Sequence, residues 1–234
     1  MNKAIFLLLS LLWALFSQAK SNELVACIDD HPPYQYLGKN PHGLHITALK
    51  TLSNVLETDL KFVQSPNFAR CVAMLKKGDI DVIAGLNPTA QRSKFAFYAP
   101  FKAADTLKII SKKGISINSF EDFKGKIIGV SRGEVYFPRF DNDDSLDKIS
   151  VQNSRIGFSL LLKDRIDLIM ISQVKLEALK KEIQNVDLNI SPIALSELRN
   201  KKTFFGFSKL NKLNFSNKEL VKIITNAYEQ GVFK

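Results

Sequence analysis

Two segments of the chain echo one another. Leu75 to Ile83 reads LKKGDIDVI and Leu161 to Ile169 reads LLKDRIDLI, with Leu, Lys, Ile, Asp and Ile coinciding at five of nine positions. Each reads as the end of an amphipathic helix, a tight turn and an apolar strand. The second copy lies 86 residues after the first, too long a spacing for the unit of a solenoid and suited to two similar α/β halves in one chain. Chance likeness between two ordinary helix-to-strand junctions is the plainer alternative. Against it stands the surrounding order, because FEDFKG at Phe120 to Gly125 introduces a strand over Lys126–Val130, after which helix and strand alternate through about Ile171. The chain has 234 residues, 45% hydrophobic and 24% charged; that suffices for two cores and excludes collagen-like and wholly disordered readings.

The first half has the same rhythm. Leu24–Ile28 (LVACI) reads as a buried strand, and Asp29–Gly43, with three of the eight prolines, reads as a long loop. Ile46, Leu49, Leu52, Val55 and Leu56 recur at helical spacing, Leu60–Val63 alternates like a strand, Phe68–Lys77 predicts a helix closed by Gly78, and Ile80–Ala84 is apolar throughout. Strand, helix, strand is the pattern of a parallel sheet. Near the other end, Asn217–Gln230 predicts a further helix.

Lys3, the apolar run Ile5–Phe16 broken only by Ser10, and the small residues of Ser17-Gln18-Ala19 predict a secretory signal cleaved after Ala19. The run is shorter than the ~20 residues that cross a bilayer, so the expectation is a free periplasmic protein of residues 20–234. Export places Cys27 and Cys71 where disulfides persist, and two cysteines allow one intramolecular pairing. Closing a loop of this size stabilises by roughly 4 kcal/mol in the chain-entropy treatment. A reactive thiol or a metal pair lacks a CxxC spacing or a ligand cluster to support it.

The formal charge of +10 suits a nucleic acid, an anionic membrane or an anionic ligand. Nucleic acid is set aside, since Lys112-Lys113, Lys180-Lys181 and Lys201-Lys202 are scattered pairs without aromatic interleaving. His31, His42 and His45 contain an HxxH spacing, but they fall in a Pro/Gly-rich loop and at a helix start, and no metal or other cofactor is expected.

Taken together, several short markers resemble a known family. They are Pro32-Pro33-Tyr34 after the first strand, Gly43-Leu44-His45 where the family usually has Gly-Phe-Asp, LKKGDIDVIAGL, Thr89-Ala90-Gln91-Arg92 followed by Phe97-Tyr98-Ala99-Pro100-Phe101, and FEDFKGKIIGV before Ser131-Arg132-Gly133. Over nearly the whole chain after Ala19, their order and spacing resemble the extracellular solute-binding proteins of family 3, the periplasmic receptors of polar amino-acid ABC importers. The resemblance implies a type II periplasmic-binding-protein fold: α/β, two lobes each built on a mostly parallel sheet flanked by helices, with the ligand in the cleft between them. Residues 20–104 and 203–234 would form lobe 1, and 105–202 lobe 2. It also implies a monomer that holds a small carboxylate-bearing molecule and passes it to an inner-membrane permease.

Residue by residue, the resemblance makes Arg92 the clamp for a ligand carboxylate, because a planar guanidinium offers two parallel donors. Asn87 and Thr89 on the same loop would add hydrogen bonds. Phe68 would form a wall, and Asp30, His31, Tyr34 and Tyr36 would line the mouth. In the second half, the Ser131-Arg132-Gly133-Glu134 loop between a strand and a helix would turn amides toward an anion, with Arg132 as a second cation. Ser172 departs from the pattern, since amino-acid receptors of this family commonly carry an Asp there for the ligand ammonium. Either Glu134 or Asp30 substitutes, or the ligand lacks a free α-amino group. An enzyme of the cyclohexadienyl dehydratase kind on the same fold, with Glu134 as an acid of raised pKa, and a periplasmic sensor are the alternative readings.

Overall fold

The structure is a computed structural model and describes residues 23–183, 186–192 and 202–233. The expected signal segment and its cleavage point lie outside the described residues, as do Lys201 and the side chains of Lys180 and Lys181.

The strands form two five-stranded sheets. The first contains β1 (Glu23–Asp29), β2 (Asp59–Ser65), β3 (Val82–Ala84), β4 (Ala96–Ala103) and β10 (Lys202–Ser208), in the order β2-β1-β3-β10-β4. The second contains β5 (Leu107–Lys112), β6 (Ile128–Ser131), β7 (Lys148–Val151), β8 (Leu168–Ser172) and β9 (Leu188–Pro192), in the order β7-β6-β8-β5-β9. In each sheet the first three strands in that order run parallel and the fourth is antiparallel to both its neighbours. The chain passes from one sheet to the other between β4 and β5, and β10 belongs again to the first.

Parallel strands are joined by crossovers that cover both faces of the sheet, which is why β1 and β8 read as unbroken apolar runs. Helices α1 (Leu44–Val55) and α6 (Asn217–Glu229) cover one face of the first sheet, with Leu49, Leu52, Leu220 and Ile224 fully buried against Leu24, Ile28 and Phe205. Helix α2 (Phe68–Lys77) covers the other, where the Cys27–Cys71 disulfide joins it to β1 across a Cα separation of 5.6 Å. In the second lobe the short helix α3 (Pro138–Asp141) packs with Phe120, Phe123 and Phe137 on one face. Helices α4 (Ser154–Leu162) and α5 (Gln173–Ile183) lie against the other.

The sequence echo is a structural one. Asp81 donates its main-chain N–H to Val25 O and accepts Val25 N–H on its carboxylate, both at 2.9 Å. Asp167 makes the same reciprocal pair with Ile127, both at 2.8 Å. The likeness extends upstream, where Asn67 and Asn153 each cap a helix by accepting a main-chain N–H three residues on. Gly78 and Asp164, aligned by the same offset, both take positive φ, so the Gly-to-Asp difference falls where Asp is tolerated. The expected strand at Lys126 begins only at Ile128, because Lys126 N–H closes a turn onto Phe123 O and Ile127 is engaged by Asp167.

Candidate functional site

Ligands of open parallel sheets sit beyond the carboxyl ends of the strands. Here β1, β3, β6 and β8 end at Asp29, Ala84, Ser131 and Ser172, and the loops that follow the first three, with the start of the helix that follows β8, meet between the two sheets. The loop after β3 carries Asn87, Thr89 and Arg92. Thr89 Oγ1 accepts Arg92 N–H at 3.0 Å and fixes the turn that aims the side chain. Arg92 is 7% exposed, and its guanidinium carbon lies 5.8 Å from the centre of the Phe68 ring. It donates to Asn87 O at 2.9 Å within its own loop and to Gly133 O at 2.5 Å in the other lobe. Asn87 Nδ2 reaches Val135 O at 3.4 Å. Both partners of the guanidinium are neutral carbonyls, and among the described residues no carboxylate lies within ion-pair distance of it.

The second lobe contributes Glu134 and Lys175. Lys175 Nζ lies 3.3 Å from Glu134 Oε1, Tyr136 OH donates to Glu134 Oε2 at 3.3 Å, and His31 Nδ1 from the mouth loop stands 3.4 Å from Oε1. Burial pushes the Glu134 carboxyl up, but Lys175 and the Tyr136 hydrogen bond outweigh it and hold the group below the usual carboxylate range. Burial and the Lys175 charge push His31 down to about 3, so its ring is neutral near pH 7. Tyr34 OH donates to Asp105 Oδ2 at 2.6 Å and lies 2.7 Å from Ser172 Oγ, joining the mouth loop to the second lobe. Lys102 Nζ is 2.7 Å from both Asp105 oxygens.

Asp30 lies at the rim, where its carbonyl accepts from Asn153 Nδ2 at 3.4 Å and its carboxylate is 4.0 Å from Arg155. Arg132 is exposed and donates its main-chain N–H to Val151 O, so its side chain is not brought together with Arg92. Its neighbour Gly133 lies against the first turn of α2, where a Cβ would sit 2.8 Å from Ala69 Cα. His42 stacks on Tyr36 with ring centres 4.6 Å apart. His45 is buried between Tyr34, Phe101 and Gly85. Among the described residues no group of three His, Cys, Asp or Glu side chains is arranged to hold a metal ion.

Residues 24–230 match the bacterial extracellular solute-binding proteins, family 3. The chain belongs to this family. Among curated members it resembles the arginine-binding extracellular protein ArtP of Bacillus subtilis, at 31% identity over 108 residues, 45% of this chain and 42% of that one. The match thus spans under half the length of that relative. Among solved structures, an ancestral arginine-binding protein bound to arginine superposes with a TM-score of 0.73 at 25% identity, covering 92% of this chain and 96% of the other. Holo ArgBP from T. maritima gives a TM-score of 0.71 at 21% identity over 89% of this chain and 90% of the other. These likenesses establish the two-lobed type II fold for this family 3 protein.

Sequence reasoning did not single out Lys175, Tyr136, Asp105, Lys102 or Asp29. Lys175 had one readable signal: it stands three residues after the non-standard Ser172, in the first turn of the helix that follows β8, and its N–H is received by Ser172 Oγ at 3.2 Å. Asp29 had another, as the polar residue that ends a strand otherwise wholly apolar after Glu23.

Proposed function

We propose that the protein is a periplasmic receptor that captures a small carboxylate-bearing molecule, an amino acid or a related compound, by closing its two lobes, and delivers it to an ABC importer. In this reading residues 20–104 and 203–234 form lobe 1, residues 105–202 form lobe 2, and the secretory signal ends at Ala19. It acts as a monomer. The observation that carries the reading is Arg92. A buried guanidinium without a counter-anion is energetically costly, and its two carbonyl partners, one from each lobe, leave further N–H donors of a five-donor fork for an anion. Relatives named for arginine, and an ancestral protein solved with glutamine as well, put amino acids first among the candidates. The enzyme alternative required a Glu134 of raised pKa. Lys175 holds that carboxyl low, which favours a receptor.

The test is a thermal-shift screen of the proteinogenic amino acids, short peptides and simple carboxylates, followed by calorimetry on each hit. Ligand at a hundred times its Kd stabilises by roughly 2.7 kcal/mol. Arg92→Ala is expected to lose ~2 to 5 kcal/mol of binding, and Arg92→Lys to recover only part of it because lysine lacks the fork. Near-wild-type affinity in the alanine variant would overturn the assignment.

A further inference from the structure

We infer that Gln152, Asn153 and Arg155 form a clasp that holds the lobes together at the rim of the cleft furthest from the crossover, and so set how firmly a solute is retained without touching it. The inference rests on the receptor reading above for the purpose of closure and adds positioning residues to it. The topology locates the rim. The chain leaves the first sheet from β4, an edge strand, and enters the second at β5, beside the edge strand β9. The opposite edges are β2 and β7. Pro66 directly follows β2 and Gln152 directly follows β7, and there Gln152 Nε2 donates to Pro66 O at 3.0 Å. Beside it Asn153 Nδ2 donates to Asp30 O at 3.4 Å, and Arg155 stands 4.0 Å from the Asp30 carboxylate.

The two sides of the clasp are equivalent positions of the internal echo. Gln152 lies 86 residues after Pro66, and Asn153 lies 86 residues after Asn67, the helix cap of the other lobe. The comparison separates two uses of one side chain. Asn153 Oδ1 caps α4 by accepting Ile156 N–H at 3.0 Å, as Asn67 Oδ1 caps α2 by accepting Arg70 N–H at 3.1 Å. A cap needs only that oxygen, which Ser or Asp also provides. Asn153, 7% exposed, has in addition an amide nitrogen that reaches lobe 1, whereas Asn67 makes no bond across the cleft among the described residues. Position gives these contacts leverage. Lobes close by rotation about a hinge, so the contacts furthest from the crossover travel furthest and part first on opening. By contrast Asp105, which Tyr34 OH meets at 2.6 Å, lies in the β4–β5 crossover itself. Bonds at the far rim therefore weigh on the closed state alone, and apparent affinity scales with the closed population. All of them lie within the chain, so they hold a measurable fraction of the protein closed before solute arrives.

The experiment compares the wild type with a triple variant, Gln152→Ala with Asn153→Ser and Arg155→Ala, and with Asn67→Ser as the control. Serine keeps the helix cap in both and removes the amide donor, so melting without solute is expected to fall by the same small amount in the two variants. Small-angle scattering without solute is expected to give a larger radius of gyration for the triple variant than for wild type, and no change for Asn67→Ser. Calorimetry with L-arginine and L-glutamine is expected to show about tenfold weaker binding in the triple variant, the worth of two hydrogen bonds, by the same factor for each acid that wild type binds. Stopped-flow dissociation is expected to quicken, and Asn67→Ser to bind as wild type does. A radius of gyration in the triple variant equal to that of wild type overturns the inference, whether or not either acid binds. A loss that differs between the two acids shows contact with the solute and overturns it as well. The scattering needs no solute, so a larger radius together with no binding across the thermal-shift screen leaves the clasp standing and overturns the receptor reading alone.

Discussion

Burial pushes the Asp29 carboxyl up to about 7, with Glu134 adding to the rise and Lys175 opposing it. The consequence for stability has a definite sign. An acid whose pKa is higher folded than unfolded binds more protons in the native state between the two values, so stability falls as pH rises across that interval and levels off above the upper one. The window runs from the ordinary Asp value of about 4 to about 7. Asp29→Asn removes the penalty, since the amide is neutral throughout. Calorimetric melting without added solute is expected to show the variant close to wild type near pH 4.5 and clearly more stable near pH 8. A difference that does not grow with pH would show that Asp29 is solvated or paired in solution. Glu134 runs the other way, because its folded pKa is depressed: the Lys175 contact stabilises above the unfolded carboxyl value and is lost as pH falls through the folded one.

Much of the element level was legible because it depends on local pattern. The end of an amphipathic helix, the tight turn and the apolar strand are readable at the same offset in both halves, whereas the Asn caps and the reciprocal pairs of Asp81 with Val25 and of Asp167 with Ile127 are seen only in the structure. Asp81→Ala leaves two donors, Val25 N–H and Lys212 N–H, without an acceptor, at about 1 to 3 kcal/mol for each one buried. Asp167 is half-buried beside Lys112, so Asp167→Ala is expected to cost roughly 1 kcal/mol. Urea unfolding of the two variants measures the difference, and equal losses would contradict the burial argument. The disulfide was legible from the cysteine count and the expectation of export, and Cys27→Ser with Cys71→Ser is expected to lower stability by ~2 to 4 kcal/mol. The partners of Glu134 were not legible. Lys175 lies 41 residues away, and the two meet only because β6 and β8 are parallel neighbours in one sheet, so that the loop after β6 and the helix that starts directly after β8 lie at the same end of it.

At the scale of the whole molecule, the contacts that define the cleft cross from one lobe to the other, Tyr34 to Ser172 over 138 residues and Arg92 to Gly133 over 41. No periodicity encodes such pairs, since they exist only when the lobes meet. At Gly133 the two lobes approach main chain to main chain. Its φ is +84°, and an added Cβ would fall 2.8 Å from both the N and Cα of Ala69, backbone atoms of a helix that cannot yield without moving the lobe. Alanine there is expected to have two effects, a local strain of ~1 to 2 kcal/mol from the left-handed backbone and a clash that exists only with the lobes together. Gly125 separates them, because its φ is +67° and a Cβ would meet nothing within 4 Å. Gly125→Ala carries strain alone and is expected to lower the melting temperature while leaving affinity unchanged. Gly133→Ala lowers both, since the binding-competent population falls and apparent affinity falls in proportion. Small-angle scattering at saturating solute then decides between clash and strain. A radius of gyration in Gly133→Ala that contracts as far as in wild type would mean that the lobes close without the Gly133–Ala69 contact. Failure to contract, with Gly125→Ala contracting normally, would place the limit of closure at that one main-chain approach, whose carbonyl is also the one that Arg92 holds.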